Sequence, residues 1–140
     1  MRVYRFIFIL LLALLFTVDV SAAQHKYMGR VWEIVLYDQK NDPWHYAPAD
    51  TFTWRLPGGK PMLRTWTMIK NSPENEVYIY NTDIMIDTME YCHLWYTLID
   101  TATGAVNQYK IPDNSCQPAP PVGSNLYNLF QRIANTTMSR

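Results

Sequence analysis

The sequence has little of what marks several specialised classes of protein. Its 140 residues include only two cysteines, and 12 Lys and Arg balance 12 Asp and Glu. Two cysteines are too few for a disulfide-rich miniprotein or a zinc cluster. Nucleic-acid binding needs Lys and Arg to neutralise phosphates, so the balanced charge and the lack of basic runs argue against such a partner. The hydrophobic content of 49% is too high for a disordered chain.

The sequence also lacks the motifs of two common classes of hydrolase. It contains no Gly-x-Ser-x-Gly, the turn that exposes the nucleophile of many serine hydrolases. It contains no His-Glu-x-x-His, the zinc-binding motif of many metalloproteases. Cys92 and His93 are adjacent, but consecutive residues of a strand point to opposite faces, so they do not form a nucleophile–base pair. The sequence therefore predicts neither a catalytic residue nor a cofactor.

Residues 1–23 have the order of a secretory signal peptide. Two arginines precede an apolar run over residues 6–16, and small residues follow it. The run of eleven residues is too short to span a bilayer, which takes ~20 residues. We therefore expect cleavage after Ala22 or Ala23, and no membrane association of the mature chain.

Residues 24–140 are predicted to form a single secreted β-rich domain, extracellular or, in a bacterium, periplasmic. Such compartments are oxidising, so Cys92 and Cys116 are predicted to form a disulfide. The bond would close a loop of about 25 residues and would add roughly 3–3.5 kcal/mol to the stability by the chain-entropy estimate.

Alternating and β-branched segments predict a mainly β fold, either an antiparallel sandwich or a partly open barrel of about six strands with a short C-terminal α-helix. The predicted strands are 31–37, 51–56, 62–70, 77–80 with a continuation at 84–86, 91–99 and 105–111, and the predicted helix is 125–134. Strand 51–56 is expected to point Phe52, Trp54 and Leu56 toward the core. Strand 91–99 is apolar on both faces and is expected to be central.

Strict alternation assigns the side chains of strand 91–99 to two faces. One face would carry Cys92, Leu94, Tyr96 and Leu98, and the other would carry Tyr91, His93, Trp95 and Ile99.

The predicted loop over residues 38–50 contains the main candidate binding site: Asp42, Trp44, His45 and Tyr46. Aromatic side chains on a loop can form a flat platform for a sugar or an anchor for a protein partner. Alternatively, Trp44 and Tyr46 cover one end of the core, or His45 and a neighbouring carboxylate act in acid–base chemistry.

Two further residues are candidates for modification or metal binding. Asn135 begins an Asn-Thr-Thr acceptor for N-glycosylation. If cleavage follows Ala22, His25 becomes the third residue of the mature chain. Its imidazole, two backbone amides and the terminal amine would then form a square-planar site that suits Cu(II) or Ni(II).

The sequence as a whole favours a secreted, non-enzymatic binding protein whose partner is a protein or a glycan. Two alternatives remain open at this stage. One is a small secreted hydrolase that uses a histidine and a carboxylate, and the other is a barrel that carries a small apolar ligand.

Overall fold

The computed structural model describes residues 25–55, 57–112 and 115–140, with side chains from residue 28 onward. The predicted signal peptide, residues 1–23, lies outside this part. The described residues form nine strands and one α-helix. Their bounds are β1 His25–Tyr27, β2 Arg30–Tyr37, β3 Pro43–Tyr46, β4 Phe52–Arg55, β5 Pro61–Asn71, β6 Glu76–Met85, β7 Tyr91–Asp100, β8 Val106–Lys110, β9 Cys116–Gln117 and α1 Asn125–Met138.

The strands pair into one antiparallel sheet. Its order is β1-β2-β3-β5-β6-β7-β8, while β4 pairs with β5 and β9 pairs with β7. The mainly β class with a C-terminal helix is therefore confirmed. Among the described strands the sheet does not close into a barrel, and the arrangement is consistent with a β-sandwich. The number of strands exceeds the predicted six because short segments such as β3 and β9, which were not predicted as strands, pair with long neighbours.

Helix α1 covers one face of the sheet. Ser124 caps its start, because the Ser124 hydroxyl accepts the backbone N–H of Tyr127 at 3.2 Å. The apolar stripe of the helix is buried against Leu63 and Ile84 of the central strands. Phe130, at the centre of the stripe, is fully buried and meets the Tyr91 ring edge-on at 5.1 Å between centroids.

A second apolar cluster lies on the opposite face. It contains Trp32, Ala47, Ile79 and Ile99, with Trp66 packed against it. Trp66 lies three residues after Leu63 on β5, so the two side chains point to opposite faces. Trp32 and Ala47 thus cover one face of the sheet, and the C-terminal helix covers the other.

A bulge in β7 changes which side chains share a face. Asn81 pairs with Trp95, but the next residue, Thr82, pairs with His93, so Leu94 has no partner on β6. The predicted alternation along 91–99 is therefore wrong across the bulge. His93 shares a face with Tyr96, since both rings contact Tyr80.

The predicted disulfide between Cys92 and Cys116 is present. It joins β7 to β9 and fits an oxidising, extracellular type of environment. Among the described residues, no helix combines the length and the apolar character that are needed to cross a membrane.

Candidate functional site

The predicted binding loop is a strand in its central part. Residues Pro43–Tyr46 form β3, which pairs with β2 on one side and β5 on the other. The loop assignment was therefore wrong for these residues, because long-range pairing outweighs the local turn signals of Asp42 and Pro43. Asp42, His45 and Tyr46 are only 4%, 4% and 5% exposed. Their role in binding stays a prediction. Because these three side chains are buried, they do not form an accessible surface for a ligand.

Asp42, Trp44 and Tyr46 each contact other parts of the fold. The Asp42 carboxylate accepts the Ser72 backbone N–H at 2.8 Å and also accepts the Ser72 hydroxyl. These hydrogen bonds lower the pKa of Asp42. Tyr46 belongs to the core cluster under α1, where burial raises the pKa of its phenol. Trp44 packs against the same cluster. The alternative in which these aromatics cover the core therefore agrees with their surroundings.

Asn135 and His25, the other candidate residues, take separate positions. Asn135 is exposed on α1, and its glycosylation stays a prediction. The backbone of His25 in β1 pairs with Trp32 of β2, while the His25 side chain and residues 23–24, which the copper site would use, lie outside the described part. Within the described ranges, no three His, Cys, Asp or Glu side chains are placed to hold a metal ion.

A cleft of about 330 Å³ opens on the face of the sheet that carries the disulfide. We call it the tryptophan cleft, and we define it by Trp54, Asp83, Trp95, Lys110 and the Cys92–Cys116 bond, all of which line it. These residues come from β4, β6, β7, β8 and β9, so the sheet itself assembles them. A concave site with aromatic walls and a few polar groups is the usual form of a small-ligand site.

One polar residue of the cleft lining, Asp83, belongs to an ion pair with Arg64. The Arg64 guanidinium donates to both oxygens of the Asp83 carboxylate, each at 2.8 Å. This bidentate pairing raises the pKa of Arg64. The Trp54 indole N–H points to the same carboxylate at 3.4 Å, and the Arg64 guanidinium lies 5.2 Å from the centre of the Trp54 ring. The ion pair therefore holds Trp54 in a defined orientation.

The second indole of the cleft is more accessible. Trp95 is 39% exposed, and the Lys110 ammonium lies 5.9 Å from the centre of its ring. Cys116 pairs with Cys92 in the β7–β9 ladder, so the disulfide fixes the segment that borders the cleft. The arrangement offers two indole surfaces and an ammonium group to one ligand.

Sequence reasoning missed this cleft for two reasons. It assigned Phe52 and Trp54 to the core, but Phe52 is 50% exposed and Trp54 lines the cleft. It also placed Trp95 and Cys92 on opposite faces, whereas the β7 bulge lets both line the same cleft. The one available signal was the surplus of tryptophan in a small domain.

A second aromatic surface, the tyrosine cluster, lies on the other face of the sheet, beside α1. Tyr80 stacks on His93 with centroids 4.3 Å apart, and Tyr96 stacks on Tyr109 at 4.7 Å. Burial lowers the pKa of His93 to about 4 and raises that of Tyr80. A hydrogen bond to Glu76 is the main reason that the pKa of Tyr78 rises to about 12. His93, Tyr80 and Tyr78 are therefore uncharged at neutral pH.

No protein-family model matches the chain, and neither a curated protein nor a solved structure matches it.

Proposed function

We propose that the protein is a secreted, non-enzymatic binding module that holds a glycan in the tryptophan cleft. The observation that carries the proposal is one concave site that is lined by two indole side chains, Trp54 and Trp95, with Trp54 held in place by the Arg64–Asp83 ion pair behind it. The proposal keeps the binding function inferred from the sequence, but it moves the contact site from β3 to the cleft.

The chemistry of the cleft suits a sugar. The C–H faces of a sugar ring are apolar and flat enough to lie on an indole, while its hydroxyls need donors and acceptors at the ring edge. Lys110 supplies donors beside the two indoles, while the buried Asp83 carboxylate bonds Arg64 and the Trp54 indole and so fixes the wall of the site. The ion pair orients Trp54 before a ligand arrives, which reduces the entropy that binding must overcome.

The two alternative functions have less support from the geometry. The hydrolase needs an accessible imidazole beside a carboxylate, but His45 is 4% exposed. The carrier needs a barrel with an internal cavity, but the described strands form a sheet that does not close into a barrel. Ligand binding in the tryptophan cleft requires neither an accessible imidazole nor a closed barrel.

The test is a screen of the disulfide-bonded protein against immobilised oligosaccharides, with tryptophan fluorescence as a solution readout. We expect a carbohydrate ligand whose binding is lost in Trp95→Ala and is partly kept in Trp95→Tyr, because tyrosine retains an aromatic plane. Since Trp95 is 39% exposed, its replacement should leave the unfolding midpoint nearly unchanged.

Tyr37→Ala is the matched control, because Tyr37 is an aromatic residue that is 55% exposed and does not line the cleft. It should bind the same sugar as the wild type. If the wild type captures no oligosaccharide, or if Trp95→Ala binds as strongly as the wild type, the glycan assignment is wrong.

Export is tested separately from binding. We expect a secretory host that expresses the full chain to release a protein that begins at Ala23 or Gln24, with the Cys92–Cys116 bond formed. N-terminal sequencing and a mass difference of two hydrogens between non-reduced and reduced protein would establish both points. An uncleaved protein that keeps residues 1–22 and stays in the cytosol would contradict the export proposal. The ligand screen would be unaffected by that result.

A further inference from the structure

The sheet ends at β8, whose outer side is open. Within the described part of the chain, β8 pairs only with β7. All five of its residues are exposed, and the large apolar side chains of Val106 and Tyr109 are 53% and 43% exposed. The strand has no proline and no bulge, two of the features that commonly block a sheet edge, and Lys110 at its end is its one charged residue.

The register of β7 with β8 determines which backbone groups point inward. At one end, the Asp100 N–H donates to the Ala105 carbonyl at 2.9 Å, and at the other the Ile111 N–H donates to the Leu94 carbonyl at 3.0 Å. Hydrogen-bonded pairs recur at every second residue of an antiparallel ladder. The odd-numbered residues from 105 to 111 therefore face β7.

The even-numbered residues face away from the sheet. The backbone of each of these residues directs one N–H and one C=O outward. The edge therefore presents three donors and three acceptors in a row, which belong to Val106, Gln108 and Lys110. Asn107 and Tyr109 are already paired with β7.

The geometry points to a second copy of this chain as the occupant of the edge, with the two β8 strands antiparallel about a two-fold axis at Gln108. In this register Gln108 pairs with Gln108 of the second copy, and Val106 pairs with Lys110 of the second copy. All six outward groups are then satisfied, and the contact is isologous, as in most homodimers. No other register of two β8 strands pairs all six.

The side chains are compatible with this register. The apolar Val106 lies across from the aliphatic stem of Lys110 of the second copy, and both side chains belong to the same face. On the other face, Tyr109 lies across from Asn107 of the second copy. Lys110 is the only charged residue of β8 and meets no like charge directly. The dimer would also carry two tryptophan clefts on one continuous sheet, although the inference does not depend on the glycan proposal.

The first test uses Gln108→Pro in the disulfide-bonded protein. The Gln108 N–H points to solvent in the monomer, so proline is tolerated at this edge position, but it removes the central pair of hydrogen bonds of the dimer. Gln108→Thr keeps the N–H and is the matched control. Sedimentation equilibrium up to millimolar protein should show dimers for the wild type and Gln108→Thr, and monomers for Gln108→Pro. A wild type that stays monomeric, or a Gln108→Pro variant that dimerises like the wild type, overturns the proposal.

A charge exchange tests the register and does not depend on proline. Gln108→Lys and Gln108→Glu each place two like charges at the axis, so each variant alone should remain monomeric. An equal mixture of the two should recover dimers that contain one chain of each kind. If both variants self-associate like the wild type, or if the mixture forms no mixed dimer, the β8 pairing is refuted.

Discussion

Removal of the Cys92–Cys116 disulfide should lower the stability of the whole domain. The two cysteines are 24 residues apart in sequence, so the bond closes a loop of about 25 residues. For that loop the chain-entropy relation gives about 3.5 kcal/mol at 25 °C. Cys116 is exposed and Cys92 is half-buried, so the substitution Cys→Ala adds little loss of packing. The double variant C92A/C116A should therefore lose about 3.5 kcal/mol of unfolding free energy.

Urea denaturation followed by tryptophan fluorescence measures this loss. With an m-value of about 1.5–2 kcal/mol per molar urea, the midpoint should fall by about 2 M. The wild type in reductant should unfold at the same midpoint as the double variant, because both lack the cross-link. A midpoint that falls by less than about 0.5 M would show that the loop is already constrained in the unfolded chain and would refute the reasoning.

The same substitution should affect the tryptophan cleft more than the rest of the fold. Strand β9 has only two paired positions with β7, Tyr91 with Gln117 and Cys92 with Cys116. Without the disulfide, little else holds this border of the cleft against the sheet. We expect hydrogen exchange to increase in residues 115–117 at urea concentrations where the central strands remain protected.

Two further predictions concern the core and pH. Phe130→Ala should lower the free energy of unfolding by about 3–5 kcal/mol, because Phe130 is fully buried. Met138→Ala, at a position 53% exposed, should lower it by less than about 0.5 kcal/mol. Equal unfolding midpoints for the two variants would contradict the packing of α1. The pKa of His93 is lowered to about 4, so below pH 6.5 the unfolded chain binds a proton that the folded chain does not, and stability should be lost as the pH falls from 6.5 to 4. His93 should account for a loss on the order of 3 kcal/mol of unfolding free energy over this pH range, and His93→Gln should remove that loss. If the stability of His93→Gln falls with pH as steeply as that of the wild type, the prediction is wrong.

Local pattern in the sequence accounts for much of the fold. The apolar run from Tyr91 gives β7 nearly to the residue, since its observed range is Tyr91–Asp100. The stripe behind Ser124 gives α1, which extends to Met138 rather than to residue 134. The disulfide followed from the predicted compartment and from the number of cysteines. These features depend on short-range periodicity or on simple counting.

The site depends on long-range information that periodicity does not contain. Strand β3 is four residues long and is stabilised by two neighbours that are distant in sequence. The bulge at Leu94 becomes visible only when β6 and β7 are paired. The cleft requires both the bulge and a Trp54 that points into the cleft and not into the core, so no local pattern could have predicted which residues line it.

Helix α1 follows all the described strands in chain order, and this order has a consequence for folding during synthesis. Leu63 and Ile84 are fully buried under the helix cluster, so the core on that face is incomplete until residues 125–138 are available. A nascent chain that carries every strand would still expose this apolar face, and such surfaces attract chaperones and favour aggregation. The core on this face can therefore close only once residues 125–138 have left the ribosome.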